Sequence, residues 1–173
     1  MKFTELNEEE FQTFAQNHPQ ASFYQTKNWA NLKEENGWKK HYIGVKEKEK
    51  IIAATLLLSK KTPIQKEMFY APRGFLIDYH NLELLSFFTE KIKKYAKEKN
   101  GIFIKLDPYV SYQQRNLEGE IIEGGENNKD CYQNLIKLGY RHFGFNQMQE
   151  TLQPRWMFIT KTKDTTVEEV MKH

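Results

Sequence analysis

The sequence predicts an α/β fold: a mixed, mainly antiparallel central sheet flanked by helices. Three observations point there. Residues 38–46, 51–58 and 68–70 read as three extended runs joined by short turns, the pattern of an antiparallel meander. A long amphipathic stretch, 81–99, separates the third run from a fourth at 102–106, which makes a crossover between parallel strands. Two helical stretches precede the sheet. The length of 173 residues is enough for one domain with a real core, with room for the beginning of another.

The elements follow in order. Asn7 precedes Glu8-Glu9-Glu10, a cap followed by acids suited to the positive end of a helix dipole. Phe11, Phe14 and Ala15 give that helix its buried stripe, and Asn17-His18-Pro19 ends it. Ser22 to Gln25 reads as a short extended piece. Thr26 caps a second helix over 27–36, stopped by Gly37, with Trp29, Leu32 and Lys33 on one face. Lys46 to Lys50 is a charged hairpin tip, and the continuous apolar run after it fits a strand covered on both faces. Leu85, Phe88, Ile92 and Tyr95 form the inward stripe of the long helix, which Asn100-Gly101 stops; its lysines form a solvated basic face. Residues 109–128 form a long loop. A helix over 129–138 turns Cys131, Leu135 and Leu138 inward, and 140–145 and 156–160 read as two more strands. Thr165-Thr166 then caps a helix that has barely begun at His173, which suggests a truncated second domain: 1–163 is the first domain and 164–173 the start of the next.

Composition excludes several classes. The excess of 26 basic over 23 acidic residues is mild and gives weak grounds for a polyanionic partner. No apolar run approaches a membrane span, and the acidic N-terminus is no signal peptide. One cysteine forbids an internal disulfide and fits a reducing cytoplasm, and the five histidines lack metal-ligand spacing, so no metal is expected.

The chain is organised around residues 68–78. An apolar, aromatic run turns at Pro72-Arg73-Gly74 and resumes with Phe75-Leu76-Ile77 before Asp78. Pro fixes one dihedral and Gly permits a positive one, so the tripeptide is either a corner presenting a cation or a plain turn with a solvated Arg. Residues 102–106 likewise end at Asp107-Pro108. Two strands stopping at carboxylates suit a site at the ends of neighbouring strands. Lys33 either reaches a ligand or snorkels over Trp29, and Asp107 is either a proton acceptor or an acid capping the turn through Pro108.

The order of elements is that of the Gcn5-type N-acyltransferase fold, yet the Gly-rich loop that would cradle coenzyme A is missing; Gly124-Gly125 has no suitable basic neighbour. The motifs Gln25-Thr26-x-x-Trp29-x-x-x-Lys33-x-x-x-Gly37-Trp38, Tyr70-Ala71-Pro72-Arg73-Gly74-x-x-x-Asp78, Leu106-Asp107-Pro108-Tyr109 and Leu152-Gln153-Pro154-Arg155 resemble the FemABX aminoacyltransferases. The resemblance runs from residue 1 to about 170 and implies one of two tandem acyltransferase-like domains. It implies transfer of an amino acid from aminoacyl-tRNA to the stem peptide of a peptidoglycan precursor, either lipid II or a nucleotide-linked muropeptide. No cofactor is implied beyond the aminoacyl-tRNA co-substrate, which the second domain would mainly contact. By the same resemblance Lys33 contacts the precursor, with Trp38 and Tyr70 counted beside it, Asp107 is a candidate general base, and Arg73 and Arg155 take substrate-binding or structural roles, the structural one first for Arg155. The protein would be cytoplasmic, with peripheral contact at the inner face of the membrane. Two other readings stand beside it. One is an acetyl-coenzyme A-dependent N-acetyltransferase with a degenerate loop. The other is a non-catalytic, precursor-binding fragment.

Overall fold

The computed structural model describes residues 1–144 together with Thr166 and Glu168. Met1–Tyr140 form one compact unit and Arg141–His173 a second. The elements below all lie in the first: β1 (Lys2–Glu5), α1 (Glu8–Asn17), α2 (Lys27–Glu35), β2 (Lys39–Glu47), β3 (Lys50–Lys61), β4 (Glu67–Ala71), α3 (Leu82–Glu98), β5 (Gly101–Leu106) and α4 (Lys129–Lys137). The five strands make one sheet in chain order. β1 to β4 pair antiparallel and β5 runs parallel to β4, as the crossover through α3 requires.

The caps at Asn7 and Thr26 act as read, and the structure adds to them: Glu10 completes a capping box with Asn7 on α1, Thr26 accepts from Trp29 N at the start of α2, and Asn81 accepts from Leu84 N at the start of α3. Ala53 to Ser59 of β3 are all buried, because both sheet faces are covered. On one face Tyr42, Ala54, Leu56 and Leu58 pack with Phe11, Ala15 and Ala30 of α1 and α2. On the other, Ile43, Val45, Ala53 and Leu57 pack with Leu85, Phe88, Ile92 and Tyr95 of α3. Fully burying each of these large side chains contributes about 1.5–3 kcal/mol.

Four expectations are corrected. The chain opens with a strand, β1, whose one apolar side chain, Phe3, packs beside Phe88 and Tyr95 at 6.1 Å; four residues with a single anchor carry no readable period. Phe23–Gln25 is a 3-10 turn, started by the Ser22 hydroxyl, which accepts from Tyr24 N. The expected strand at 140–145 is absent over Tyr140–Gly144: Arg141 to Gly144 are exposed, and Gly144 has φ 105°. The long loop is partly ordered by isolated bridges, Gln113 with Asn127 and Arg115 with Ile121. The strand expected at 156–160, the Arg155 corner and the helix start near Thr165 lie outside the described residues, Thr166 and Glu168 apart.

Candidate functional site

The site grows from a split in the sheet. β4 pairs with β3 as far as Tyr70 opposite Leu58, then leaves it. The chain comes back at Leu76, which exchanges both backbone hydrogen bonds with Ala54 at 2.9 and 3.0 Å. Between these points Leu56 N lacks a strand partner, and the side chain of Gln25 takes that place. Its Oε1 accepts from Leu56 N at 2.7 Å, while Nε2 donates to Pro72 O at 2.6 Å and Gly74 O at 2.9 Å. Gln25 is fully buried. One amide therefore stands in for a missing peptide and ties β3 to the corner, satisfying groups that would otherwise be orphaned.

The corner is a turn closed by Gly74 N donating to Ala71 O at 3.1 Å. Pro72 holds the second position. Arg73 sits third with φ 60°, where a type II turn normally takes glycine. A non-glycine residue there costs about 1–2 kcal/mol. Two backbone bonds to the exit of β5 hold it: Arg73 N donates to Asp107 Oδ1 at 3.0 Å, and Arg73 O accepts from Tyr109 N at 3.1 Å. Gly74 has φ 78°, and an added Cβ would stand 2.5 Å from the Tyr79 hydroxyl and 2.7 Å from Pro108 Cα. The Tyr79 hydroxyl in turn accepts from Phe75 N at 2.7 Å.

Side chains on this frame form a row. The Arg73 guanidinium lies 5.1 Å from the Tyr24 ring centre and 5.3 Å from that of Tyr109. Tyr24 meets Trp29 edge-on at 4.8 Å, and Lys33 Nζ lies over Trp29 at 4.5 Å. The row runs Lys33, Trp29, Tyr24, Arg73, Tyr109, and each cation is stabilised by a neighbouring ring face. The Tyr70 hydroxyl hydrogen-bonds the Asp107 carboxylate; burial first, and then that carboxylate, push the Tyr70 pKa well above the ordinary range, so it stays a phenol and donates.

A model of the FemAB family matches residues 6–173. The chain belongs to the FemAB family. It is 35% identical over its whole length to the aminoacyltransferase FemA of Staphylococcus aureus strain bovine RF122, and equally to that of strain NCTC 8325. It spans only 41% of the length of either relative. The crystal structure of FemX superposes on 89% of this chain and 36% of its own with a TM-score of 0.73 at 29% identity.

Of the residues expected at the FemAB site, the fold joins Arg73, Asp107 and Tyr70 at the corner and links Lys33 to them through Trp29 and Tyr24. Lys33 does lie over Trp29, as the snorkelling reading holds, and the same row carries it to Arg73. Trp38 stays outside the row: it packs with Trp29 against the α1–α2 core, under Lys60 Nζ at 5.8 Å. Two readings change. Asp107 caps the corner across the strands, not only its own following turn. Asp78 is not a strand-end carboxylate beside it; it is exposed and accepts from His80 N at 2.9 Å. Sequence reasoning missed Gln25 and the tyrosines flanking Arg73. The signal for Gln25 was a long amide between an aromatic pair and a cap, at the head of the first FemAB-like motif.

Proposed function

We propose that this chain is the precursor-binding part of an aminoacyltransferase that moves an amino acid from aminoacyl-tRNA to the stem peptide of a peptidoglycan precursor. FemAB membership supports the class of reaction. The observation that carries the assignment to this surface is Arg73, kept at a backbone position that favours glycine while its side chain is framed by two tyrosines. Lys48 also has a positive φ, but at the exposed β2–β3 turn; at Arg73 the strain is retained at a corner between two rings, which is a reason to look for what the cation does.

In this reading Arg73 offers a planar fork and Lys33 a mobile point charge to the phosphate and sugar-peptide parts of the precursor. The exposed edges of the aromatic row cover its apolar surface, with Trp38 flanking. The precursor amine attacks the ester carbonyl of the aminoacyl-tRNA, the amide bond forms, and the tRNA ribose hydroxyl leaves. The amine's proton passes to Asp107, whose carboxylate accepts from Arg73 N and from Tyr70, and from there to the departing ribose oxygen, which leaves as the hydroxyl. Tyr70 orients that carboxylate. The ester is already activated, so no cofactor is invoked.

The first domain is inferred to run over 1–163, with a second starting at 164 that takes the aminoacyl-tRNA and completes the reaction. The 173-residue chain alone is then inactive. Among the described residues no helix is long and apolar enough to cross a membrane; cytoplasmic placement, with peripheral contact at the inner membrane face for a lipid-linked precursor, belongs to the proposal. The test is transfer by the complete native protein from a panel of charged tRNAs to lipid II or the nucleotide-linked muropeptide. Labelled amino acid in the precursor is expected. No transfer from any charged tRNA to either acceptor would sink the reading.

A further inference from the structure

The chain's histidines and its single cysteine show no metal spacing in sequence, yet the fold brings His80 to Cys131 across 51 residues. His80 follows the corner segment. Asp130 and Cys131 stand in the first turn of α4, which is docked on that segment by Asn134 Nδ2 donating to Tyr79 O at 3.0 Å. The imidazole lies between the two α4 residues, with Nδ1 2.5 Å from Asp130 Oδ2 and Nε2 3.5 Å from Cys131 Sγ.

We propose that His80 Nε2 and Cys131 Sγ bind one divalent cation of the zinc class, with Asp130 as the carboxylate that orients the imidazole. Three observations carry this. Tetrahedral zinc with Zn–S of about 2.3 Å and Zn–N of about 2.0 Å separates the two donors by about 3.5 Å. The observed Nε2–Sγ separation already has that length. A metal-bound histidine ordinarily gives its other ring N–H to a carboxylate, and Asp130 already takes it. Thiolate with imidazole selects zinc, cobalt and their neighbours over magnesium or calcium. Asp78, bonded to His80 N at 2.9 Å, adds a second carboxylate at the same turn. The side chains of His80 and Asp130 are each 53% exposed while Cys131 is buried, so the ion enters past the imidazole and only its positions on that side are open to water. The site is an exchangeable one that pins α4 to the segment following the corner.

The 173-residue chain is titrated with Co²⁺ and followed by absorbance. It has one cysteine, so a thiolate-to-cobalt charge-transfer band reports this site alone. The expected result is a band saturating at one ion per chain and displaced by Zn²⁺. Cys131→Ser should abolish it. His80→Gln should weaken binding at least tenfold, and Asp130→Asn by about 10–100-fold, the usual effect of an orienting partner. Both latter changes are on exposed side chains, so they keep the test valid if Cys131→Ser fails to fold. No thiolate band at millimolar Co²⁺ would overturn the proposal. So would undiminished affinity in His80→Gln, or one ion per two chains, which would mean two thiols from separate molecules.

Discussion

Replacing Gln25 by Ala tests how the corner is held. The side chain is fully buried and makes three hydrogen bonds of 2.6–2.9 Å, to Leu56 N, Pro72 O and Gly74 O. Truncation leaves the Leu56 N–H and two carbonyls, all on buried residues, without that partner. An orphaned buried donor or acceptor costs about 1–3 kcal/mol. Water entering the space offsets some of this, so the expected loss is about 3–5 kcal/mol. With a urea m-value of about 2 kcal/mol/M the midpoint falls by roughly 2 M. Gln25→Glu adds a sign. Its carboxylate still accepts from Leu56 N but faces two carbonyls with no donor; once protonated it can donate to one of them. The Glu variant should therefore be more destabilised, relative to wild type, at pH 7 than at pH 5. Urea unfolding by circular dichroism at both values measures this. A loss below about 1 kcal/mol in Gln25→Ala, or no pH dependence in Gln25→Glu, would refute the bridge.

Three other outcomes follow from the geometry. Gly74→Ala combines left-handed strain of about 1–2 kcal/mol with overpacking of about 1–3 kcal/mol against Tyr79 and Pro108, so urea unfolding should show a loss of about 3 kcal/mol. His41, between Ser59 and the Tyr95 hydroxyl, has its pKa pushed down to about 4, by burial first and then by the positive charge of Lys99. The unfolded chain, with a histidine pKa near 6.5, binds the extra proton first. Stability from this group is therefore full above pH 6.5 and lost as pH falls towards 4, by about 2–3 kcal/mol; His41→Asn should flatten that part of the stability–pH curve. In the complete enzyme, Asp107→Asn should lower turnover about 10²–10⁴-fold with little change in precursor affinity, since Asn still accepts from Arg73 N; unchanged turnover would leave Asp107 as a clasp only.

Local chemistry was legible in the sequence. The caps at Asn7 and Thr26, the start of α3 at Asn81 and the buried run of β3 each depend on residues close together in the chain. So did the corner, because Pro72 and Gly74 restrict the backbone directly, and the end of β5 at Asp107. What stayed hidden depends on distance in the fold. Gln25 bonds residues 31, 47 and 49 positions away, and the gap it fills exists only because β4 leaves β3 after Tyr70. A positive φ is legible at Gly74, where the structure has it, but not at Arg73, since nothing local requires an arginine to adopt it; the clasp by Asp107 and Tyr109 does. β1 is too short to show a period, and β-like residues at Tyr140–Gly144 found no partner strand among the described residues.

The claim that the Lys33–Arg73 row binds the precursor is tested most directly by calorimetric titration of the 173-residue chain with nucleotide-linked muropeptide, comparing wild type, Lys33→Met and Arg73→Gly. Gly suits φ 60°, and relief of that strain offsets the lost contacts with Tyr24 and Tyr109, so Arg73→Gly should keep its stability within about 1 kcal/mol. Each lost charge-assisted contact is worth about 1.5–3 kcal/mol, so each variant should bind roughly 10- to 150-fold more weakly than wild type. Saturable binding by wild type, with both variants folded and weakened, is the predicted result. No binding by wild type, or unchanged affinity in both variants, would contradict it.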